Sequence, residues 1–114
     1  NTCWVALTHG KSKALINKGE KEACLVSFGY GQSQGVAHKS KSLKDISNYQ
    51  DGMPEWYLKG LECALLAPTA INQQKFYFEL DGDEVKLKKG KGFYTGLDLG
   101  IVKYHFEIGA KRKI

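Results

Sequence analysis

The sequence predicts an α+β fold, with helices packed on a small, mostly antiparallel sheet. Two observations carry this. Phe76 to Leu80 and Glu84 to Lys88 alternate in polarity around Asp81-Gly82-Asp83, which is a hairpin signature. Two later stretches, Glu55 to Ala67 and Leu97 to Ile108, repeat apolar residues at helical spacing. At 114 residues the chain is long enough for one domain with one modest core.

The elements follow in order. Thr2 to Leu7 is short and apolar and fits either helix or strand. Lys11 to Lys18 reads as a short helix ending before Gly19. Glu22 to Tyr30, EACLVSFGY, is a run of strand formers with apolar residues on both faces, as a strand buried on both sides would have. Gly31 to Asn48 is rich in Gly, Ser and Lys and reads as an exposed connector. Pro54 and Glu55 suit a helix start. Tyr57, Leu61 and Leu65 then line one face, and Gly60 and Ala64 make a small face that a second backbone can approach. Pro68 biases Ala67 out of the helical region and ends this helix. Gly90 to Gly96 is loop. The last helix starts near Thr95, where Thr95 and Asp98 have capping-box spacing. Leu97, Ile101, Tyr104 and Ile108 form one stripe and Val102 and Phe106 a second apolar face, so this helix is expected to be mostly buried. Gly109 is the predicted C-cap.

Composition narrows the function classes. Cys3, Cys24 and Cys63 are odd in number and none are in CxxC spacing, which argues for free thiols and against a disulfide framework or a zinc site. No apolar run approaches the length that spans a bilayer, so a cytoplasmic protein with no membrane partner is expected. The net charge is +5, yet Arg112 is the single arginine among 17 basic residues. A lysine surface attracts anions without specifying them, because specific reading favours the bidentate Arg fork. His105, in an apolar helix, reads as a packed, hydrogen-bonded side chain, and Trp4 and Trp56 read as core. His9 and His38 lie in polar stretches and make no metal site.

The joint between the first long helix and the hairpin, APTAINQQKF (Ala67 to Phe76), is unusual chemistry for a loop. It carries long amides where Gly, Asp and Ser would serve. A side-chain amide donates and accepts at once, and so matches a ligand edge that offers both.

This joint, with the residues that follow it, resembles the nitroreductase family of flavin enzymes, which carries A-P-S/T-x-x-N-x-Q-P-W-x-F at a helix-to-strand boundary. NTCWVAL, EACLVSFGYG and LDLGIVKYHFEIGA are similar to further segments of the TM-nitroreductase branch. The likeness covers nearly the whole chain and is expected to correspond to the C-terminal half of such a protein, an incomplete fragment of a nitroreductase-like fold. The resemblance implies an FMN-dependent oxidoreductase that takes electrons from NAD(P)H and passes them to nitro-aromatic or quinone-like acceptors. It places the cofactor on Pro68, Thr69, Asn72 and Gln74, with Asn72 at the flavin's pyrimidine edge and Gln74 as a second contact or a brace. Lys75 would lie near the ring edge or the phosphate, and Lys111 and Arg112 would meet the phosphate. No catalytic Ser, Cys or His is required, since the flavin carries the hydride chemistry. Two departures stand out: Lys75-Phe76 replaces Pro-Trp, and the family's N-terminal Arg-x-x-x-Arg segment is absent. Weak or no FMN binding is therefore expected of this chain by itself, with a homodimer or association with the missing N-terminal half. The competing reading is a small basic module for single-stranded nucleic acid, with Phe76, Tyr77 and Phe78 beside Lys86, Lys88 and Lys89. The amide joint favours the flavin.

Overall fold

The computed structural model describes residues 2–5, 15–22 and 25–114, and of residues 2–5 the backbone alone. The chain divides into two compact units, Asn1–Ala37 and His38–Ile114.

In the first unit, β1 (Thr2–Val5) pairs antiparallel with β2 (Leu25–Phe28), Thr2 opposite Phe28 and Val5 opposite Leu25. The apolar start is thus a strand. The expectation that β2 is buried on both sides fails: Leu25 is half-buried, and Val26 and Phe28 are 58% and 84% exposed. β1 is its one ladder partner among the described residues, and the two form a ribbon separate from the later hairpin. The predicted helix from Lys11 also fails over its described part. Leu15 to Asn17 have no regular structure, and Asn17 takes Glu20 into a turn, with its backbone N–H and side-chain amide both donating to Glu20 Oε2 at 3.0 and 3.1 Å. Local side-chain bonds of this kind compete with helix formation. Residues 11–14 lie outside the described residues, as do the side chains of Cys3, Trp4, His9 and Cys24.

The second unit holds the core. α1 (Leu43–Ile46) is one turn, α2 spans Glu55–Ala64, β3 (Phe76–Asp81) and β4 (Glu84–Lys89) form the hairpin, and α3 spans Thr95–Ala110. The hairpin register is the one the sequence implies, Phe76 opposite Lys89 and Asp81 opposite Glu84. Gly82 at φ 60 takes the first turn position, which glycine adopts without strain.

The alternation of β3 puts Phe76 and Phe78 inward. Phe78 stacks on Phe106 of α3 at 4.6 Å, and Tyr57 of α2 meets Phe106 edge-on at 6.0 Å. Ile46, Leu61, Ala64, Ala67 and Val102 complete the fully buried set. The small face of α2 is used as expected: a Cβ on Gly60 would lie 2.5 Å from the Phe106 ring.

Three expectations for this unit are corrected. The connector is not exposed throughout. Ile46 and Ser47 are buried, Ser47 bridges to Phe78 of β3, and Asn48 binds the edge of that strand. Asn48 Oδ1 accepts from Leu80 N–H at 3.0 Å while Nδ2 donates to Leu80 O at 3.0 Å, so one side chain imitates a strand neighbour. The Tyr57 hydroxyl donates to the same Oδ1 at 3.0 Å, and burial pushes this phenol well above its ordinary pKa. Next, α3 buries Asp98, Val102, Phe106 and Ala110, whereas Tyr104 and Ile108 are 65% and 57% exposed. The helix is therefore not mostly buried: the Val102 and Phe106 face meets the core, because it carries the aromatic ring that fits over Gly60. Finally, Gly109 is not the C-cap. Lys111 takes the left-handed cap at φ 52, and Gly109 sits where α3 crosses α2, a Cβ there lying 2.3 Å from Lys59 O. Among the described residues, no helix is long and apolar enough to cross a membrane.

Candidate functional site: the amide joint

The joint between α2 and β3 is a tight, left-handed turn. After Pro68 the chain extends through Thr69 and enters a single 3-10 turn at Ala70–Asn72. Ile71, Asn72 and Gln74 have φ of 45, 56 and 44, the left-handed region. Asn tolerates this; a β-branched Ile does not do so readily. Backbone bonds close the turn, from Asn72 N to Thr69 O at 2.9 Å and Gln73 N to Ala70 O at 3.0 Å.

Each polar side chain of the joint has a defined task. Thr69 is buried, and its Oγ1 accepts the Gln74 N–H at 3.0 Å. Gln74 is 3% exposed. Its Nε2 donates to Asn72 Oδ1 at 2.7 Å and Lys39 O at 2.8 Å, and its Oε1 accepts Lys41 N–H at 2.8 Å. Gln74 therefore braces Asn72 and ties the joint to the connector. Asn72 is exposed, with Nδ2 donating to Lys39 O at 2.9 Å. An amide has two donor hydrogens and two acceptor lone pairs. Asn72 spends one of each on Lys39 and Gln74, and one of each remains. Pro68 and Lys75 are exposed beside it.

The loop before α3 presses on the same place. Gly90 N–H donates to Lys75 O at 2.9 Å, and a Cβ on Gly92 would lie 2.6 Å from Gln73 Oε1. Side chains at these two positions would push the loop off the joint.

Lys111 and Arg112 are not brought to this site. Arg112 lies over the Trp56 ring at 4.2 Å and donates to Asp83 O at 3.2 Å, at the turn of the hairpin. The joint meets the hairpin at its open end, about 17 Å away along β3 at the usual strand rise. His105 Nδ1 contacts Ile101 O at 2.9 Å, the packed histidine that was expected. Cys63 is half-buried and free.

Asp98 is the residue that sequence reasoning missed. The capping box with Thr95 does not form, because Tyr94 takes the N-cap position in a left-handed conformation and Thr95 Oγ1 donates back to Gly92 O at 3.2 Å. The Asp98 carboxylate instead turns to the joint: Oδ1 accepts Ala70 N–H at 2.9 Å and Oδ2 accepts Gln73 Nε2 at 2.7 Å. A carboxylate on the face of α3 that also carries Val102 and Phe106 was the available signal. The loop glycines and the carbonyl of Lys39 gave none, since their role arises only on folding.

The family described as "Putative TM nitroreductase" matches residues 1–110. The chain belongs to that family. This TM-nitroreductase chain also superimposes on the crystal structure of a "putative nitroreductase" from Thermotoga maritima, with TM-score 0.73 and 23% identity over 98% of the chain. It spans about half of that structure, 48% of its chain. At this identity the likeness speaks for the fold. No curated protein matches the chain significantly.

Proposed function

We propose that this TM-nitroreductase chain is part of an FMN-dependent oxidoreductase, moving electrons from NAD(P)H to nitro-aromatic or quinone-like acceptors. The observation that carries this is the state of Asn72: exposed, braced on two sides, with one donor and one acceptor left over. The pyrimidine edge of a flavin offers that complement, carbonyl acceptors beside an N–H. FMN, when bound, supplies the hydride chemistry. The chain's own residues bind and orient. Asn72 meets the polar edge, Pro68 supports the ring from the turn, Thr69 and Gln74 hold Asn72 in place, and Lys75 offers positive charge to the phosphate. Lys111 and Arg112 serve α3 and Trp56 in this chain, so the phosphate is held more weakly here than an arginine cluster would hold it.

Association completes the proposal. The chain spans about half of the matched structure, and Leu66, Ile71, Phe93, Tyr104 and Ile108 of the second unit are exposed apolar side chains. A chain that spans half of the matched fold leaves surface that another chain would cover, and these side chains are its candidates. A homodimer, or a complex with a complementary half, follows, and light scattering at tens of micromolar checks it; a monodisperse monomer contradicts it.

The nucleic-acid reading has less support. Phe76 and Phe78 are buried at 5% and 0% exposure, and Lys86 and Lys88 pair with Asp81 and Glu79. Aromatics that fill a core do not stack on bases. The test between the two is direct. The chain is titrated with FMN at equilibrium, followed by flavin fluorescence, and the saturated mixture is treated anaerobically with NADPH or NADH. Saturable binding, with bleaching faster than that of free FMN, supports the oxidoreductase. Binding of single-stranded oligonucleotide with no saturable flavin binding overturns it.

A further inference from the structure

Asp98 is 4% exposed, in the first turn of α3. An Asp is rarely buried so fully without a charged partner. Among the described residues it has no ion pair; its two oxygens accept from two neutral donors, Ala70 N–H and the Gln73 amide. Only a group that accepts with both atoms fits there. An Asn in its place would turn an NH2 towards one donor or the other.

What it holds is the strained part of the joint. Ala70 immediately precedes Ile71 and Asn72, both left-handed. A β-branched residue keeps such a conformation only where its surroundings over-determine it. Here the surroundings are three: Thr69 Oγ1 from within, Lys39 and Lys41 through Gln74 on one side, and Asp98 through Ala70 and Gln73 on the other. We infer that Asp98 is the positioning residue of the joint, fixing the left-handed turn so that the free donor and acceptor of Asn72 face outward to a flavin. Its link to flavin rests on the reading proposed above; its link to the turn does not.

Two variants test this: Asp98→Ala, which removes both acceptors, and Asp98→Asn, which keeps one; Gln73 Nε2 also donates to Phe93 O at 2.8 Å, which fixes its amide as the donor. Two readouts are taken, hydrogen exchange of the Ala70 amide against the hairpin amides, and the FMN dissociation constant from flavin fluorescence. Asp98→Ala speeds exchange at Ala70 about 10- to 100-fold, the usual worth of a hydrogen bond to a charged group, and weakens FMN by at least fivefold. The hairpin amides stay protected. Asp98→Asn, which can keep an oxygen on the Ala70 N–H, loses less than Asp98→Ala at both readouts. Unchanged exchange at Ala70 in Asp98→Ala overturns the inference. So does exchange that rises equally in the hairpin, because Asp98 is then a general stability residue. If the wild-type chain binds no FMN at all, the functional reading falls, while exchange at Ala70 still decides whether Asp98 holds the turn.

Discussion

Replacing Gly109 by Ala tests the helix crossing on which the second unit is built. The added Cβ would lie 2.3 Å from Lys59 O, 2.7 Å from Cys63 Cβ and 2.8 Å from Cys63 Sγ. Ordinary contact begins at 3.4 Å, so the crossing is too close by about 1 Å. The nearest atom is backbone and cannot rotate away. α2 and α3 must separate, and the stacked rings of Phe78 and Phe106 between them and the hairpin lose contact. Overpacking of this kind costs about 1–3 kcal/mol. Ala is a better helix former than Gly by about 0.8–1.0 kcal/mol, which offsets part of it. The net is a loss of up to about 2 kcal/mol, or up to about 15 °C in Tm for a cooperative unit of this size. Gly100 supplies the control. It lies in the same helix with nothing within 4 Å of a Cβ, so Gly100→Ala gains up to about 1 kcal/mol from propensity alone. Thermal melts by circular dichroism compare the two. If Gly109→Ala melts as high as Gly100→Ala, the close crossing is refuted.

Two further predictions follow from side chains outside the joint. Asn48→Ala removes a side chain that pairs with Leu80 and Tyr57 and leaves buried partners unmet, so it lowers stability by about 1–3 kcal/mol in urea unfolding and exposes the Leu80 amide to exchange. Asp45 Oδ2 accepts from the hydroxyl and the N–H of Ser42 at 2.7 and 3.0 Å, which lowers the pKa of Asp45 below its ordinary 3.8. A depressed folded-state pKa contributes stability above the unfolded value that is lost as pH falls through the folded one. NMR titration should therefore find the Asp45 midpoint below 3.8, and Ser42→Ala should move it up.

The sequence made the hairpin, both long helices and the close approach at Gly60 legible, because each rests on local pattern or on a residue that permits one geometry. It overstated the burial of α3. Leu97, Ile101, Tyr104 and Ile108 are as apolar as the face that carries Val102 and Phe106, and only the fit of Phe106 to Gly60 chooses between them. For the joint, residue types revealed Asn72 and the turn at Pro68. They did not separate Asn72, which faces solvent, from Gln74, which is buried as a brace. Nor did they find Asp98, because a capping box and a bridge to a distant turn share the same spacing. Lys111 and Arg112, just past a helix end, read as phosphate contacts, and Arg112 is instead engaged with Trp56, a contact no spacing encodes.

The central claim is that Asn72 presents a flavin-binding edge. The direct measurement is FMN titration of the wild-type chain, Asn72→Gly and Asn72→Asp, at concentrations where the chain is associated. Gly keeps the left-handed backbone at φ 56, and Asp keeps the size but replaces the donor by a second acceptor. The account predicts saturable binding by wild type. Both variants should weaken it about 5- to 150-fold, the cost of leaving one polar edge of a buried ligand unmet, with circular dichroism showing them folded. Equal affinity in all three, or no FMN binding by wild type, would contradict it.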